Sequence, residues 1–249
     1  AIVATDLKQA RREATIAENA VLAGNALPPL HGLPIGIKDL NATKGLRTTW
    51  GSKLFENHVP TEDDALVARL RAAGGIIVGK TNTPEFGSGT ATNNLVYGPT
   101  RNPFDLKRTS GGSSGGSAAA LATNMLPLCQ GGDTGGSLRN PATWCGVVGF
   151  RSTPGLVPQE NRTLNYTHFN VQGPMARSVT DIALMMAGCV GNDDRDPMAN
   201  LCNPQTFLKI KPANLKDVRA AWTEDFGGVA PLDDGIRGCF KKVIGALAN

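Results

Sequence analysis

The chain has 249 residues, 41% hydrophobic and 18% charged, so it can bury a core and is not disordered by composition. Its net charge of +4 comes from basic residues scattered among acids, and there are only 8 Phe, 3 Trp and 2 Tyr, which excludes a basic, aromatic-interleaved nucleic-acid surface. No apolar run approaches the roughly 18 residues of a membrane span, so neither nucleic acid nor membrane is expected as a partner.

Residues 5–24 place apolar positions at helical spacing and end on Gly24, which predicts a glycine-capped helix. Pro28 and Pro29 turn the chain into Leu33–Lys38, an apolar run read as a strand with Lys38 at its carboxyl end. Asp63–Ala73 predicts an amphipathic helix with acids first and bases last, followed by the Gly74-Gly75 stop and a buried strand at Ile76–Val78. Ser114–Met125 reads as a helix of small residues, Leu126–Cys129 as a strand, and Ser137–Trp144 as a short helix broken at Pro141. Val147–Phe150 is a further predicted strand, Val179–Val190 a strongly apolar helix, and Asp217–Trp222 with Gly235–Leu247 a last strand–helix pair. Strands alternating with helices predict an α/β fold with a largely internal sheet.

Two motif matches fail on context. Gly74–Thr81 satisfies the phosphate-loop pattern, but the strand falls inside it and Pro84 interrupts the residues after Lys80, whereas the mechanism needs strand, loop, then helix. Gly111–Gly115 satisfies the nucleophile-elbow pattern, but the preceding Asp105–Ser110 is polar rather than a buried strand. A Ser-His-Asp arrangement would also need one of His31, His58 or His168, each better explained as a loop residue. The five cysteines (129, 145, 189, 202 and 239) lack any Cys-x-x-Cys and read as buried free thiols of a reducing compartment, so a cytoplasmic protein is expected. No Cys/His cluster has metal spacing, and neither metal nor cofactor is expected. Asn41, Asn161 and Asn165 sit in short glycosylation sequons of the kind that arise by chance.

The glycines are concentrated: 11 lie between Gly111 and Gly155. They form two serine-bearing clusters, Gly111-Gly-Ser113-Ser114-Gly-Gly-Ser117 and Gly131-Gly-Asp133-Thr134-Gly135-Gly136-Ser137-Leu-Arg139-Asn-Pro141. Small residues leading into Ser137 can aim several backbone N–H groups at one point beside a hydroxyl, as in an oxyanion hole. The alternative is a tight turn with an N-capping serine.

The stretch 111–141 closely resembles the signature of the amidase signature family. Gly32-Leu-Pro-Ile-Gly-Ile-Lys38-Asp39, Gly79-Lys-Thr-Asn-Thr-Pro-Glu-Phe86, Asn102-Pro103 and Cys145–Phe150 are similar to other segments of those enzymes. The resemblance implies the family's fold, a mixed β-sheet flanked by helices, with residues 1–249 as one domain. It also implies a Ser–Ser–Lys triad: Ser137 the nucleophile, Ser113 a bridging serine held by a cis peptide, and Lys38 the base. The backbones of Thr134, Gly135, Gly136 and Ser137 would hold the oxyanion, and Asp133 and Arg139 would pair beneath the loop. Lysine acts as a base only when neutral, so Asp39 is expected to point away from Lys38. Ser114 is read as a helix cap, Ser117 as helix packing and Lys80 as a structural group.

The implied activity is hydrolysis of a carboxylic amide through an acyl-enzyme, releasing ammonia or an amine from a small-molecule substrate. A second reading is the glutaminase subunit of a tRNA-dependent amidotransferase, against which the segment Leu164–Pro174 speaks. A third is an inactive module, because family members are nearly twice this long and the chain is expected to be C-terminally incomplete. A homodimer is compatible with all of these.

Overall fold

The computed structural model describes residues 1–160, 166–212, 214 and 218–247. The chain divides into two compact units, 1–210 and 211–249. The first is built on a six-stranded mixed sheet, with helices α1 (Leu7–Leu22), α2 (Ala65–Ala72), α3 (Gly115–Ala122), α4 (Arg139–Cys145), α5 (Val179–Cys189) and α6 (Gln205–Leu208). Its strands are β1 (Ile2–Thr5), β2 (Pro34–Lys38), β3 (Ile76–Thr81), β6 (Leu128–Asp133), β7 (Val148–Gly149) and β8 (Val171–Ala176), in the order β1-β3-β2-β6-β8-β7. A separate hairpin pairs β4 (Arg101–Asn102) with β5 (Asp105–Thr109). The three strands β3, β2 and β6 run parallel, and β1, β8 and β7 complete the sheet by antiparallel pairing.

Residue alternation along β2 turns Ile35 and Ile37 to one face of the sheet and Gly36 and Lys38 to the other. Ile35 and Ile37 pack with Leu66 and Leu70 of α2 and Met185 and Met186 of α5. The other face is covered by α3, whose Ala118, Ala120 and Leu121 cluster with Cys129, Leu138 and Met175. That helix is made of small residues because it lies almost on the sheet. The Gly116 N–H donates to Asn82 O at 3.1 Å. A Cβ on Gly116 would stand 2.2 Å from the Asn82 backbone nitrogen. Gly116→Ala is therefore expected to lower stability by about 1–3 kcal/mol, measured by urea unfolding, because backbone on both sides leaves nothing flexible to move.

Several elements correct the sequence reading. Helix α4 begins at Arg139 rather than Ser137, and Pro141 does not break it. Pro141 sits in the first turn, where its missing N–H has no intrahelical partner to lose. Residues Asp105–Thr109, read as merely polar, form an exposed hairpin strand, and β1 and β8 are strands that the sequence reading does not contain. The glycines Gly131 and Gly132 belong to β6 rather than to a turn, and a Cβ on Gly131 would meet Leu138 Cδ2 at 2.6 Å. Gly74–Thr81 contains no loop that could cradle a phosphate, since Ile76–Thr81 is continuous strand. Helix α1 ends as expected, with Gly24 at φ 70°.

In the second unit, α7 (Asp234–Leu247) is tied down by an Arg237–Glu224 ion pair at 2.9 Å, and Trp222 meets Phe240 with ring centroids 5.7 Å apart. The strand expected at Asp217–Trp222 is absent over the described residues 218–222, and Asp217 lies outside them. Cys129, Cys145 and Cys189 are buried thiols, but Cys202 is half-buried and Cys239 exposed. Asn41 is buried and its amide is bonded to Asp64 and Gln172, so it is no glycan acceptor, while Asn161 and Asn165 lie outside the described residues. Among the described residues no helix is long and apolar enough to cross a membrane, and no group of His, Cys, Asp or Glu is arranged to hold a metal.

Candidate active site

Lys38 ends β2 on the face covered by α3 and is 1% exposed. Its backbone N–H donates to Gln130 Oε1 at 3.1 Å, and its Nζ donates to Ser113 Oγ at 2.7 Å. Burial pulls its pKa from 10.5 down to about 7, with the Asp133 carboxylate opposing the shift. Asp39 points to the opposite side, where its carboxylate accepts from Thr49 Oγ1 at 2.6 Å and from the Thr49 N–H at 3.2 Å. Lys80, paired with Ile37 across the strands, also lies on that side and donates to Asn41 O and, at 2.8 Å, to Thr43 Oγ1. It holds the 41–43 segment that follows Lys38, a structural task.

Ser113 follows a cis Gly112–Ser113 peptide bond and is buried in the loop before α3. Ser114 takes the cap position of that helix, but its hydroxyl makes no cap bond; it donates to Gly132 O at 3.2 Å on β6. Ser117 packs as expected, donating to Gln130 O at 2.9 Å and meeting Thr81 Oγ1 at 2.6 Å. The Ser114 N–H donates to Ser137 O at 3.2 Å, and this bond brings the two glycine clusters together.

Ser137 is half-buried in the turn between β6 and α4. Beneath the turn, Asp133 accepts from the Gly136 N–H at 2.8 Å, the Leu138 N–H at 3.1 Å, and Arg139 Nε and Nη2 at 3.0 and 3.1 Å. Burial alone would raise the Asp133 pKa, but Arg139 and the two backbone donors outweigh it and hold the carboxylate at about 2. The Gly136 N–H is therefore directed under the loop, not toward a substrate oxygen. Thr134 and Gly135 are exposed above it, and Gly136 itself needs glycine at φ 114°.

Beside Lys38 opens a cavity of about 380 Å³ bordered by Gln130, Gly132, Asn41, Gln172, Trp50 and Phe86, among others. Gln130 Nε2 and Asn41 Nδ2 both donate to Gln172 Oε1 at 3.0 Å, so an amide network forms its floor. Trp50 and Phe86 both have left-handed backbones, at φ 52° and 49°, and are linked by the Phe86 N–H donating to Trp50 O at 2.7 Å. Such conformations in aromatic residues persist only where the surroundings enforce them. Sequence reasoning missed these residues and Arg151. The one available signal was Gln130, a polar residue ending an apolar run, which marks a buried amide with a dedicated partner.

The amidase family model matches residues 1–249. This chain belongs to the amidase family. It is 41% identical over 227 residues to an acylamidase of Rhodococcus erythropolis, covering 91% of this chain and 48% of that protein. It is 47% identical over 206 residues to the glutamyl-tRNA(Gln) amidotransferase A subunit of Thermus thermophilus, covering 81% and 44%. Among solved structures, this chain superposes on a bacterial aryl acylamidase with TM-score 0.76 at 33% identity, covering 81% of this chain and 42% of that one. The peptide amidase of Stenotrophomonas maltophilia gives 0.73 at 34%, covering 80% and 41%. The chain thus spans about half the length of the curated relatives it matches.

Proposed function

We propose that this chain carries the catalytic apparatus of an amidase that cleaves a carboxylic amide C–N bond through an acyl-enzyme. The observation that carries the reading is the 2.7 Å contact between Lys38 Nζ and Ser113 Oγ, made by a lysine whose pKa lies near 7. A neutral lysine can accept a proton, and a serine hydroxyl becomes an effective nucleophile only when a neighbour takes its proton. Ser137 Oγ attacks the carbonyl carbon while its proton passes to Ser113, whose own proton passes to Lys38. The tetrahedral oxyanion is held by the N–H groups of Thr134, Gly135 and Ser137. On collapse the proton returns through Ser113 to the amide nitrogen, the C–N bond breaks, and the amine or ammonia leaves. Water then attacks the acyl-Ser137 ester by the reverse proton path and regenerates the free hydroxyl. Asp133 and Arg139 keep the loop in shape beneath this chemistry.

Release of ammonia or amine from a panel of aliphatic, aromatic and amino-acid amides tests the reading. Hydroxylamine should divert product to the hydroxamate without raising the amide's own reactivity. Turnover with no hydroxamate from any amide would contradict an acyl-enzyme.

The similarity to amidotransferase A subunits supports a second reading, a glutaminase that delivers ammonia within a complex. The segment Leu164–Pro174, read from the sequence alone as unlike an amidotransferase, begins with Leu164 and Asn165, which lie outside the described residues. Glutamine hydrolysis that depends on a partner protein would select this reading over the free-standing amidase.

A further inference from the structure

Arg151 emerges from the irregular stretch after β7, 18 residues beyond Asp133 and not part of the signature region. Its Nη1 donates to Asp133 O at 2.6 Å, to Asp133 Oδ1 at 3.1 Å and to Phe169 O at 3.0 Å, and its Nη2 donates to His168 O at 3.1 Å. The first two acceptors lie at the residue that opens the Thr134–Ser137 turn. The other two immediately precede Asn170, which lines the cavity and whose Oδ1 lies 3.4 Å from Thr134 Oγ1. Arg139 also neutralises Asp133, but it comes from the helix that the turn itself leads into and is 55% exposed, against 24% for Arg151. Arg139 therefore closes the turn on itself, whereas Arg151 ties it to a different part of the cavity wall.

We propose that Arg151 is a positioning residue that locks the oxyanion turn to the 168–170 wall, so that the acyl group and the N–H donors keep one relative placement. The proposal rests on the amidase reading above. Its physical basis is the planar guanidinium, which can span four acceptors on two segments; an ammonium on a lysine stem reaches fewer and in no fixed plane. Displacement of reacting groups by about 1 Å costs up to about a hundredfold in rate.

The test uses the best substrate of the amide panel. Arg151→Met is expected to lower kcat by about tenfold to a hundredfold, with added guanidinium ion restoring part of the loss. Arg151→Lys should fold normally, because it retains the charge beside Asp133, yet still lose a large part of kcat. Should Arg151→Met fail to fold, the Lys variant alone decides. Full kcat in either folded variant, or a lowered melting temperature with unchanged kcat, would overturn the proposal. Ser137→Ala run in parallel separates the two layers: activity surviving there contradicts the amidase reading itself, whatever Arg151 does.

Discussion

Ser137→Ala is expected to lower kcat by a factor on the order of 10⁴–10⁶ on the best amide while leaving the fold intact. The side chain is half-buried in a turn whose shape is fixed by Asp133 and by the Ser114 N–H, and those contacts reach Ser137 only through its backbone carbonyl. Removing the hydroxyl therefore removes the proposed nucleophile and little else. Ser113→Ala should be nearly as severe, because its hydroxyl is the atom that Lys38 contacts. Ser114→Ala removes only the hydroxyl bonded to β6 and should retain most of the activity. The reverse ranking of Ser113 and Ser114 would sink the assignment of the bridging serine.

Lys38→Met should abolish turnover to a similar degree and, unusually for a core substitution, raise stability. A fully buried lysine held near pKa 7 against an unfolded value of 10.5 is a cost of folding. Below about pH 7 the lysine is charged in both states and that cost is complete. Between about 7 and 10.5 the unfolded chain binds the extra proton, so stability of the parent rises with pH, and above 10.5 the cost has gone. At pH 7 the Met variant is expected to be more stable by about 1–2 kcal/mol, and its advantage should shrink as pH rises. The same pKa sets the rate profile. The base must be neutral, so kcat/KM should climb with pH through about 7 in the parent. Chemical denaturation across pH 6–10, beside the pH–rate profile, checks both; a variant less stable at every pH would mean that the lysine is buried as a stabilising cation rather than a neutral base.

The residues proposed for catalysis stand in contiguous runs, which is why the sequence could nominate them. Lys38 terminates an apolar strand and Ser113 precedes a helix of small residues, while Ser137 reads as the first residue of a helix that begins at Arg139. What failed was where glycine and proline carry two meanings. Gly131 and Gly132 read as turn residues but lie in β6, where Leu138 leaves no room for a side chain at Gly131. The fully buried strand β8, which carries Gly173 and Pro174, does not read as a strand at all from the sequence. Pro141 suggests a helix breaker but occupies the one turn that tolerates it. The direction of the Gly136 N–H was hidden for another reason: the oxyanion pattern counts donors, but only the position of Asp133 decides which of them faces outward. Arg151 and Gln172 approach the site from residues far along the chain, through packing that no local pattern records.

The most direct measurement is the position of the acyl group on the enzyme. Incubation with an activated ester of the preferred acyl group, followed by trypsin, yields the peptide Thr109–Arg139, which contains both Ser113 and Ser137. Fragmentation of that peptide is expected to place a single acyl group on Ser137, with none in the Ser137→Ala protein. An acyl group on Ser113, or one that persists in Ser137→Ala, would contradict the account.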